Sequence, residues 1–576
     1  MGYTNEKNIL ILIALLKERG IRKVIASPGT TNVTLIASMQ QDPFFEIYSS
    51  VDERSAAYIA CGLAVESGEP VVISCTGATA SRNYFSGLTE AYYRKIPVIA
   101  VTSSRFYGYI GHNMDQVIDR STISNDISVC SVNVPVPHNV EEIWNCEIKI
   151  NKAFNELVHN GGGPVHINLE TEYSTDFSVK SLPCVRNIKK YLHFDKFPSI
   201  EKEKVAVFVG SHSVFSDELT REIDFFCEKY NAVVLCDSTS NYFGKYKVYF
   251  NIILQQEGYL APCRSIDLMI HIGNTSSSGV YTAKEVWRVN PDGQIRDTFH
   301  KCNVVFDMEE IEFFQKANIV KKNKNISFYE EWKKEYDDLI SKICDKEDFL
   351  PLSNLWIGMS SYKYIPNSGV IHLGILNSLR SWNYFDDGRK YYRYANTGGY
   401  GIDGGISSLI GASLANKDKI FWGIYGDLAF FYDMNVLGNR AISNNIRIII
   451  INNGIGSEFK NHLNLAQRAG FGDEADDYIA AKGHFGNKSK ELIKHYANDL
   501  GYEYISINDK KSFLEKRDYF FSDKMHNKPI IMEIFTECEN DTKVMKIIRN
   551  IKFSSDGILK KAVKKIQNTK QLIDNK

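Results

Sequence analysis

The chain has 576 residues, of which 44% are apolar and 24% charged, and this usage excludes a disordered, collagen-like or low-complexity protein. Lys and Arg number 68 against 69 Asp and Glu, so no chain-wide basic field draws the protein onto nucleic acid. No segment approaches the roughly 20 apolar residues of a membrane span. The 11 cysteines form no C-x-x-C pair, which is typical of reduced core cysteines in a cytoplasmic protein.

Apolar, β-rich runs alternate with helix-like stretches along the chain and fall into three blocks. The predicted strands are 23–26, 71–75, 98–102 and 165–169 in the first block, 205–209, 233–236, 268–273 and 304–306 in the second, and 420–425, 446–451 and 529–534 in the third. Such alternation favours parallel sheets built from βαβ units. We therefore expect an α/β protein of three consecutive parallel-sheet domains.

The domain boundaries follow shifts in composition. We predict a first domain at 1–180, a central domain at 200–325 and a third domain at 350–540, with a linker at 176–204 that contains two prolines. The remaining segment, 541–576, has ten basic and three acidic residues. It is predicted to be a basic amphipathic helix that packs on the body, or that binds an anionic membrane surface or an acidic partner.

Two polar positions follow neighbouring buried strands of the third block. Asp427 comes directly after the predicted strand 420–425, and Asn453 follows 446–451. Because the carboxyl ends of parallel strands share one edge of a sheet, both side chains are expected to converge there. Mg²⁺ prefers such hard oxygen ligands, with phosphate oxygens completing its octahedron. The pair predicts a site for a metal ion and a diphosphate.

A glycine-rich segment precedes this pair. Residues 396–405 read NTGGYGIDGG and open a small-residue helix at 406–415. Glycines allow close backbone approach, and a helix N-terminus offers free N–H groups to an anion. The alternative to an anion-binding segment is an ordinary glycine-rich turn.

The first block carries different candidates. Glu53, in the segment VDERS, is either a functional acid or a surface glutamate paired with Arg54. His112 lies in a loop and either transfers a proton near neutral pH or hydrogen-bonds locally. Arg105 is a candidate carboxylate anchor, whereas His271, within a predicted strand, is expected in the core.

Five segments together resemble the thiamine-diphosphate-dependent enzymes of the acetolactate synthase and pyruvate decarboxylase type. They are SPGT at 27–30, DERS at 52–55, TGATASRN at 76–83, GYGIDGG at 399–405, and GDL with NNG at 426–428 and 452–454. The resemblance implies a pyrimidine-binding domain, a central domain and a diphosphate-binding domain. It also implies thiamine diphosphate and Mg²⁺ as cofactors, and a homodimer or homotetramer with active sites at the subunit interface.

The resemblance assigns roles to matching positions. Glu53 matches the glutamate that hydrogen-bonds N1′ of the aminopyrimidine, and Ile402 matches the apolar residue that supports the bent cofactor. The metal ligands would be the side chains of Asp427 and Asn453 and the carbonyl of Ile455. The other implied positions are Thr76, Gly77, Asn83, Gly399, Gly401, Asp403, Gly426 and Leu428 for the cofactor, His112 and Gln116 for catalysis, and Thr30, Arg105 and Arg380 for the substrate.

Within that family, the segments GIDG, GDL-x-x-x-YD-x-N and DERS are most similar to the synthases of menaquinone synthesis, and Leu428 replaces a more usual glycine. Several arginines and other basic residues of those synthases are missing, at Thr31, Gly279, Val280 and Thr397. Because arginine binds carboxylates bidentately, we expect a less acidic donor or acceptor here.

The resemblance implies decarboxylation of a small 2-oxo acid and transfer of the resulting acyl-anion equivalent to a carbonyl acceptor. A simple decarboxylase that releases an aldehyde, or the menaquinone-pathway synthase itself, is the alternative. A cofactor-binding homologue without turnover is a further one. A nicotinamide oxidoreductase is disfavoured because the central block has no G-x-G-x-x-G fingerprint.

Overall fold

The computed structural model describes residues 2–120, 123–319, 325–386 and 388–553. Two compact units make up the chain. The first contains the residues up to 192 together with 293–307, and the second contains 193–292 and the residues from 308 onward.

The first 192 residues alternate strands and helices. The strands are β1 (Lys23–Ala26), β2 (Glu46–Ser49), β3 (Val71–Thr76), β4 (Val98–Ser104), β5 (Cys130–Val134), β6 (Val165–Glu170) and β7 (Lys189–Leu192). The helices are α1 (Lys7–Glu18), α2 (Val33–Gln40), α3 (Glu53–Ser67), α4 (Ala78–Asn83), α5 (Phe85–Tyr93) and α6 (Val140–Glu156).

The rest of the described chain continues this alternation. Its strands are β8 (Val205–Val209), β9 (Ala232–Cys236), β10 (Lys247–Tyr249), β11 (Ile266–Ile272), β12 (Ala283–Val289), β13 (Cys302–Asp307), β14 (Val370–Leu373), β15 (Tyr392–Tyr394), β16 (Phe421–Gly426), β17 (Ile446–Asn452), β18 (Glu503–Ile507) and β19 (Ile530–Phe535). Its helices are α7 (Asp217–Tyr230), α8 (Asn251–Leu254), α9 (Glu310–Asn318), α10 (Ser327–Cys344), α11 (Asn354–Ser361), α12 (Asn377–Trp382), α13 (Gly405–Ala415), α14 (Asp427–Asp433), α15 (Leu465–Arg468), α16 (Leu492–Asp499), α17 (Lys510–Phe520) and α18 (Cys538–Arg549).

The first sheet has the strand order β2-β1-β3-β4-β6-β5, and all its strands are parallel. Both faces are buried, as expected when helices cover a parallel sheet on both sides. Val24 and Val72 are paired and enter one apolar cluster, whereas the next pair, Ile25 and Ile73, enters the cluster on the opposite face. The chain changes direction between β1 and β3, so the loops after these two strands meet at the carboxyl edge.

The third-block sheet has the same plan. Its order is β15-β14-β16-β17-β19-β18, again all parallel. Here the chain changes direction between β14 and β16. Such a reversal opens a crevice at the carboxyl ends of the strands, where ligands bind in open α/β sheets.

The central block contributes the parallel strands β10-β9-β8-β11-β12 to the second unit. In the first unit, β13 pairs with β7 in parallel. The predicted α/β class with three parallel sheets is confirmed. The predicted linker at 176–204 is wrong in part, because β7 lies inside it, where a short Lys-Lys-Tyr-Leu run carries little apolar signal.

Other predictions about the chain have clear outcomes. None of the helices within the described residues is long and apolar enough to cross a membrane. All 11 cysteines are free thiols, and His271 is buried in β11, as expected. Helix α18 begins the predicted basic tail and buries Val544 and Ile548, whereas the part of that tail after residue 553 lies outside the described residues.

Candidate functional site

Glu53 is positioned by the start of α3. Asp52 caps this helix, since its carboxylate accepts hydrogen bonds from the Arg54 amide at 3.0 Å and the Ser55 hydroxyl at 2.9 Å. The Arg54 guanidinium lies 3.6 Å from the Asp52 carboxylate, so these two residues form an ion pair. Glu53 is half-buried, and its Oε2 accepts a hydrogen bond from Nδ2 of Asn83 at 3.0 Å. Two of the residues singled out from the sequence are therefore in contact.

The loops after β1 and β3 meet through threonine hydroxyls. Oγ1 of Thr31 lies 2.8 Å from Oγ1 of Thr76 and donates to the Ser103 carbonyl at 3.1 Å. A Cβ on Gly29 would lie 2.4 Å from Oγ1 of Thr76, so no side chain fits there. Thr30, the neighbouring candidate, is exposed.

Arg120 is a feature that the sequence analysis missed. Its side chain is only 4% exposed and lies against Gly77, because a Cβ at Gly77 would be 2.9 Å from both terminal guanidinium nitrogens. Burial lowers the pKa of Arg120 to about 10. A lone arginine in a loop carries no sequence signal that would have predicted this placement.

A large pocket lies in the same unit, next to the loop that follows β4. It has a volume of about 690 Å³, and its lining includes Arg105, Tyr109 and Glu170. Arg105 donates to the Asp115 carboxylate at 2.9 Å and lies over the Tyr109 ring. Glu170 accepts from the Tyr107 amide at 3.0 Å and the Val136 amide at 3.2 Å, and burial raises its pKa.

The two candidates for proton transfer lie on this loop but do not line the pocket. His112 is exposed, and its backbone amide donates to the Tyr109 carbonyl at 3.1 Å. Gln116 is also exposed and has a φ of +55°. The structure therefore places Arg105 at the pocket and leaves His112 and Gln116 at the surface of this unit.

In the second unit, Asp427 and Asn453 lie side by side at the carboxyl edge. Asp427 begins α14 directly after β16, and Asn453 follows β17, which pairs with β16. Asp427 is 4% exposed, its Oδ2 accepts from the Gly454 amide at 3.0 Å, and burial raises its pKa to about 7. Nδ2 of Asn453 donates to Asp541 at 3.4 Å, whereas its Oδ1 accepts from the Ile455 amide at 3.2 Å.

These groups suit a divalent cation. A carboxylate, an amide oxygen and a backbone carbonyl are hard oxygen ligands. The Asp427 carboxylate is buried without a cationic side chain bonded to it among the described residues, and a bound cation would favour its ionised form.

The glycine-rich segment lies beside a second crevice. A small cleft of about 10 Å³ at the ends of β14 and β16 is lined in part by Gly401, Ile402, Gly405 and Tyr425. The Tyr425 hydroxyl donates to the Gly405 carbonyl at 2.7 Å. Ile402 is half-buried at this cleft. The other predicted cofactor positions of the segment, Gly399 and Asp403, are exposed, and Gly426 and Leu428 are half-buried next to Asp427.

One amide of the predicted anion-binding helix is already satisfied by the protein. Helix α13 begins at Gly405, and the Ser407 amide and hydroxyl donate to the Asp433 carboxylate at 2.6 Å and 2.5 Å. Asp433, which ends α14, thus joins the end of that helix to the start of α13. Asp433 belongs to the sequence segment GDL-x-x-x-YD, but its contact with Ser407 was not predicted.

Arg380 is already ion-paired within the protein. Its Nη1 donates to Glu458 at 2.6 Å and to Asn377 at 2.7 Å. Although burial by itself lowers the pKa of Arg380, the Glu458 carboxylate raises it above its usual value. A role in substrate binding therefore requires a ligand that competes with Glu458.

Comparison with known proteins finds a family match in the N-terminal part of the chain. Residues 10–123 match the family described as thiamine pyrophosphate enzyme, N-terminal TPP binding domain. This match covers Glu53, Asn83 and the Thr31–Thr76 contact. The resemblance seen in the sequence is thereby confirmed as a similarity to the thiamine-diphosphate-dependent enzymes.

Individual relatives extend the similarity over nearly the whole chain. A protein from Bacteroides fragilis is 28% identical over 582 residues, covering 94% of this chain and 98% of the relative. A protein from Phocaeicola vulgatus is 28% identical over 566 residues with the same coverage, and one from Flavobacterium johnsoniae is 27% identical over 570 residues, covering 92% and 96%. All three are named 2-succinyl-5-enolpyruvyl-6-hydroxy-3-cyclohexene-1-carboxylate synthase.

Proposed function

We propose that the protein uses thiamine diphosphate and Mg²⁺ to decarboxylate a small 2-oxo acid and to transfer the remaining acyl unit to a carbonyl acceptor. The observation that carries this proposal is the placement of Asp427 and Asn453 side by side after neighbouring parallel strands. It supplies the oxygen ligands for a metal-bound diphosphate in a chain whose N-terminal domain matches the family. When bound, thiamine diphosphate supplies the carbon nucleophile that adds to the 2-oxo group and takes up the electron pair released with CO₂.

In this proposal Glu53 holds a proton at N1′ of the aminopyrimidine. Asn83 orients the Glu53 carboxyl group through its 3.0 Å hydrogen bond, and Thr76 and Gly77 line the neighbouring strand end. A positioned carboxyl group at a reacting heterocycle is an effective general acid or base.

The metal would be held by the carboxylate of Asp427, Oδ1 of Asn453 and the carbonyl of Ile455. Gly426 and Leu428 lie next to Asp427, and Gly399, Gly401 and Asp403 belong to the segment beside Ile402, which would support the cofactor. For the substrate we propose Thr30, Arg105 and Arg380, with proton transfer by His112 or Gln116. Since these last two are exposed in the first unit, they would act only where a further surface covers them, as in a homodimer or homotetramer in the cytoplasm.

A second candidate is the reaction named for the relatives. Their coverage of more than 90% of this chain favours it, whereas the uncharged Thr31 and Thr397 do not supply cations for an acidic product. The name of these relatives contains a succinyl group, which is the acyl unit left when 2-oxoglutarate loses CO₂. The choice of donor therefore separates the two candidates.

The test is release of CO₂ from pyruvate, 2-oxobutyrate and 2-oxoglutarate by the full chain with thiamine diphosphate and Mg²⁺, with and without carbonyl acceptors. We expect a ligated product with an acceptor and turnover that requires both cofactors. Use of 2-oxoglutarate alone would favour the relatives' reaction, and free aldehyde in every case would refute ligation. Glu53→Gln should abolish most turnover, and the matched control Glu66→Gln, an exposed residue of the same helix α3, should not.

A further inference from the structure

Arg120 is a buried cation that has no ion pair among the described residues. Its side chain is 4% exposed, and neither Nε nor Nη1 has a hydrogen-bond partner there. No carboxylate of the described residues forms an ion pair with it. Leaving a buried charge uncompensated is destabilising by several kcal/mol, so an arginine in this place needs an anion from outside the chain.

The backbone of Ser103, a residue with an unpaired hydroxyl, lies close to this guanidinium. The Ser103 carbonyl and both terminal nitrogens of Arg120 lie 2.7 Å and 2.9 Å from one point, the place that a Cβ on Gly77 would take. The Ser103 side chain is 1% exposed, and its hydroxyl has no hydrogen-bond partner. Arg120 and Ser103 thus each have an unsatisfied buried donor, and the guanidinium of one and the backbone of the other meet at a glycine.

The other ionisable groups that act on Arg120 do not neutralise it. Burial raises the pKa of the Cys75 thiol to about 12, so this group is uncharged at neutral pH. The second charge that acts on Arg120 is the cation Arg82, whose guanidinium donates to the Asp119 carbonyl. His166 is kept uncharged, since burial and these two arginines lower its pKa to about 3. These groups therefore leave the charge of Arg120 uncompensated.

We propose that Arg120 and Ser103 form a binding site for the carboxylate group of the 2-oxo acid. Arginine offers two parallel N–H donors that match a carboxylate, and the Ser103 hydroxyl adds a third. The assignment rests on the proposed function, because that function provides a carboxylate ligand at the carboxyl edge of this sheet. It makes Arg120 a determinant of substrate class in addition to Arg105, in the same connection between β4 and β5.

The test compares Arg120→Gln and Arg120→Lys with the full-length wild type and with Arg94→Gln, which removes an exposed cation directly after α5. Calorimetry measures binding of pyruvate, 2-oxoglutarate, inorganic phosphate and the uncharged probe acetone, and thiamine diphosphate with Mg²⁺ is titrated separately. For Arg120→Gln we expect carboxylate affinity to fall and the KM of the donor to rise by about 10- to 100-fold, with kcat changed far less. For Arg120→Lys we expect a carboxylate affinity and a donor KM between those of the wild type and Arg120→Gln. For Arg94→Gln both values should equal those of the wild type.

Thermal unfolding separates binding from a structural role. Without ligands, Arg120→Gln should unfold at the same temperature as the wild type or higher, because it removes an unpaired buried charge. Carboxylates should raise the unfolding temperature of the wild type only. A donor KM within twofold of the wild type, or binding of phosphate in place of carboxylates, would overturn the assignment.

Failure of the proposed function gives a different result. If the wild type binds pyruvate or 2-oxoglutarate through Arg120 but does not bind thiamine diphosphate, the carboxylate site stands and the proposed function is wrong. If thiamine diphosphate binds and CO₂ is released while Arg120→Gln behaves as the wild type, the carboxylate site is wrong and the proposed function stands.

Discussion

Metal binding should depend steeply on pH, because the Asp427 carboxyl group must lose its proton to bind a cation. Burial raises the pKa of Asp427 to about 7. With that value, the ionised fraction rises about 90-fold between pH 5 and pH 8, and the affinity for metal rises with it. An aspartate with its ordinary pKa of 3.8 would change by only about 1.1-fold over the same range.

The assay is Mn²⁺ binding to cofactor-free protein, followed by electron paramagnetic resonance of the free ion. Leaving out thiamine diphosphate removes the protonation of its diphosphate from the result. The affinity should fall about tenfold for each pH unit below 7. Asp427→Asn should bind Mn²⁺ weakly at every pH, and Asp541→Asn, next to Asn453, should keep a midpoint near 7. An affinity that is flat between pH 5 and pH 8 would show that this reasoning is wrong.

When no metal is bound, a rise in pH lowers the contribution of the Asp427 carboxyl group to the stability of the folded protein, whereas it strengthens metal binding. Because the folded state holds the proton more tightly than the unfolded state, the contribution of Asp427 is greatest below pH 3.8 and is lost as the pH rises toward 7. At about 1.36 kcal/mol per pKa unit, the free energy of unfolding falls by about 4 kcal/mol over this pH range. Asp427→Asn should not show this part of the pH dependence in urea unfolding of the metal-free protein, and equal pH profiles for both proteins would contradict it.

Other substitutions test the remaining contacts. Glu53→Gln should bind thiamine diphosphate normally in calorimetry but lose about 10²- to 10⁴-fold in turnover; near wild-type rates would refute the role of Glu53. Asn83→Ala removes the hydrogen bond to Glu53 and should lower kcat by about tenfold, or about 1.5 kcal/mol, measured as CO₂ release at saturating donor; an unchanged kcat would exclude Asn83 as the orienting residue. Asp433→Ala removes both hydrogen bonds from Ser407 and should destabilise the protein by about 2 kcal/mol, which thermal unfolding would detect as a lower midpoint; an unchanged midpoint would mean that the contact contributes nothing. Asp541→Asn should weaken Mg²⁺-dependent cofactor retention about tenfold through Asn453; full retention after desalting would argue against this coupling.

Strongly apolar strands were predictable from the sequence because burial on both faces leaves a continuous apolar run. Strands β1 and β8 coincide with their predicted ranges, and β16 and β17 differ from theirs by one residue at one or both ends. Strand β7 was missed because it is short and half polar. Its pairing with β13 depends on residues more than 100 positions away, which no local pattern reports.

The candidate site was predictable where residue type and strand position act together. Asp427 and Asn453 follow the paired strands β16 and β17 at one edge of the sheet, and the convergence of their side chains on a metal ion stays a prediction. The contact of Glu53 with Asn83 joins two motifs that were recognised separately. The ion pair of Arg380 with Glu458 and the burial of Arg120 depend on packing between distant segments, so sequence patterns alone did not predict them.

The tight packing at Gly29 and Gly77 limits how the substrate range of this enzyme can be altered. Any side chain at either position would collide with the Thr76 hydroxyl or with the Ser103 carbonyl and the Arg120 guanidinium. A saturation library aimed at these two positions would therefore yield mostly inactive clones. Substitutions in the exposed segment from Phe106 to Gln116 leave the packing at these two glycines intact, so changes of specificity should be sought in that segment.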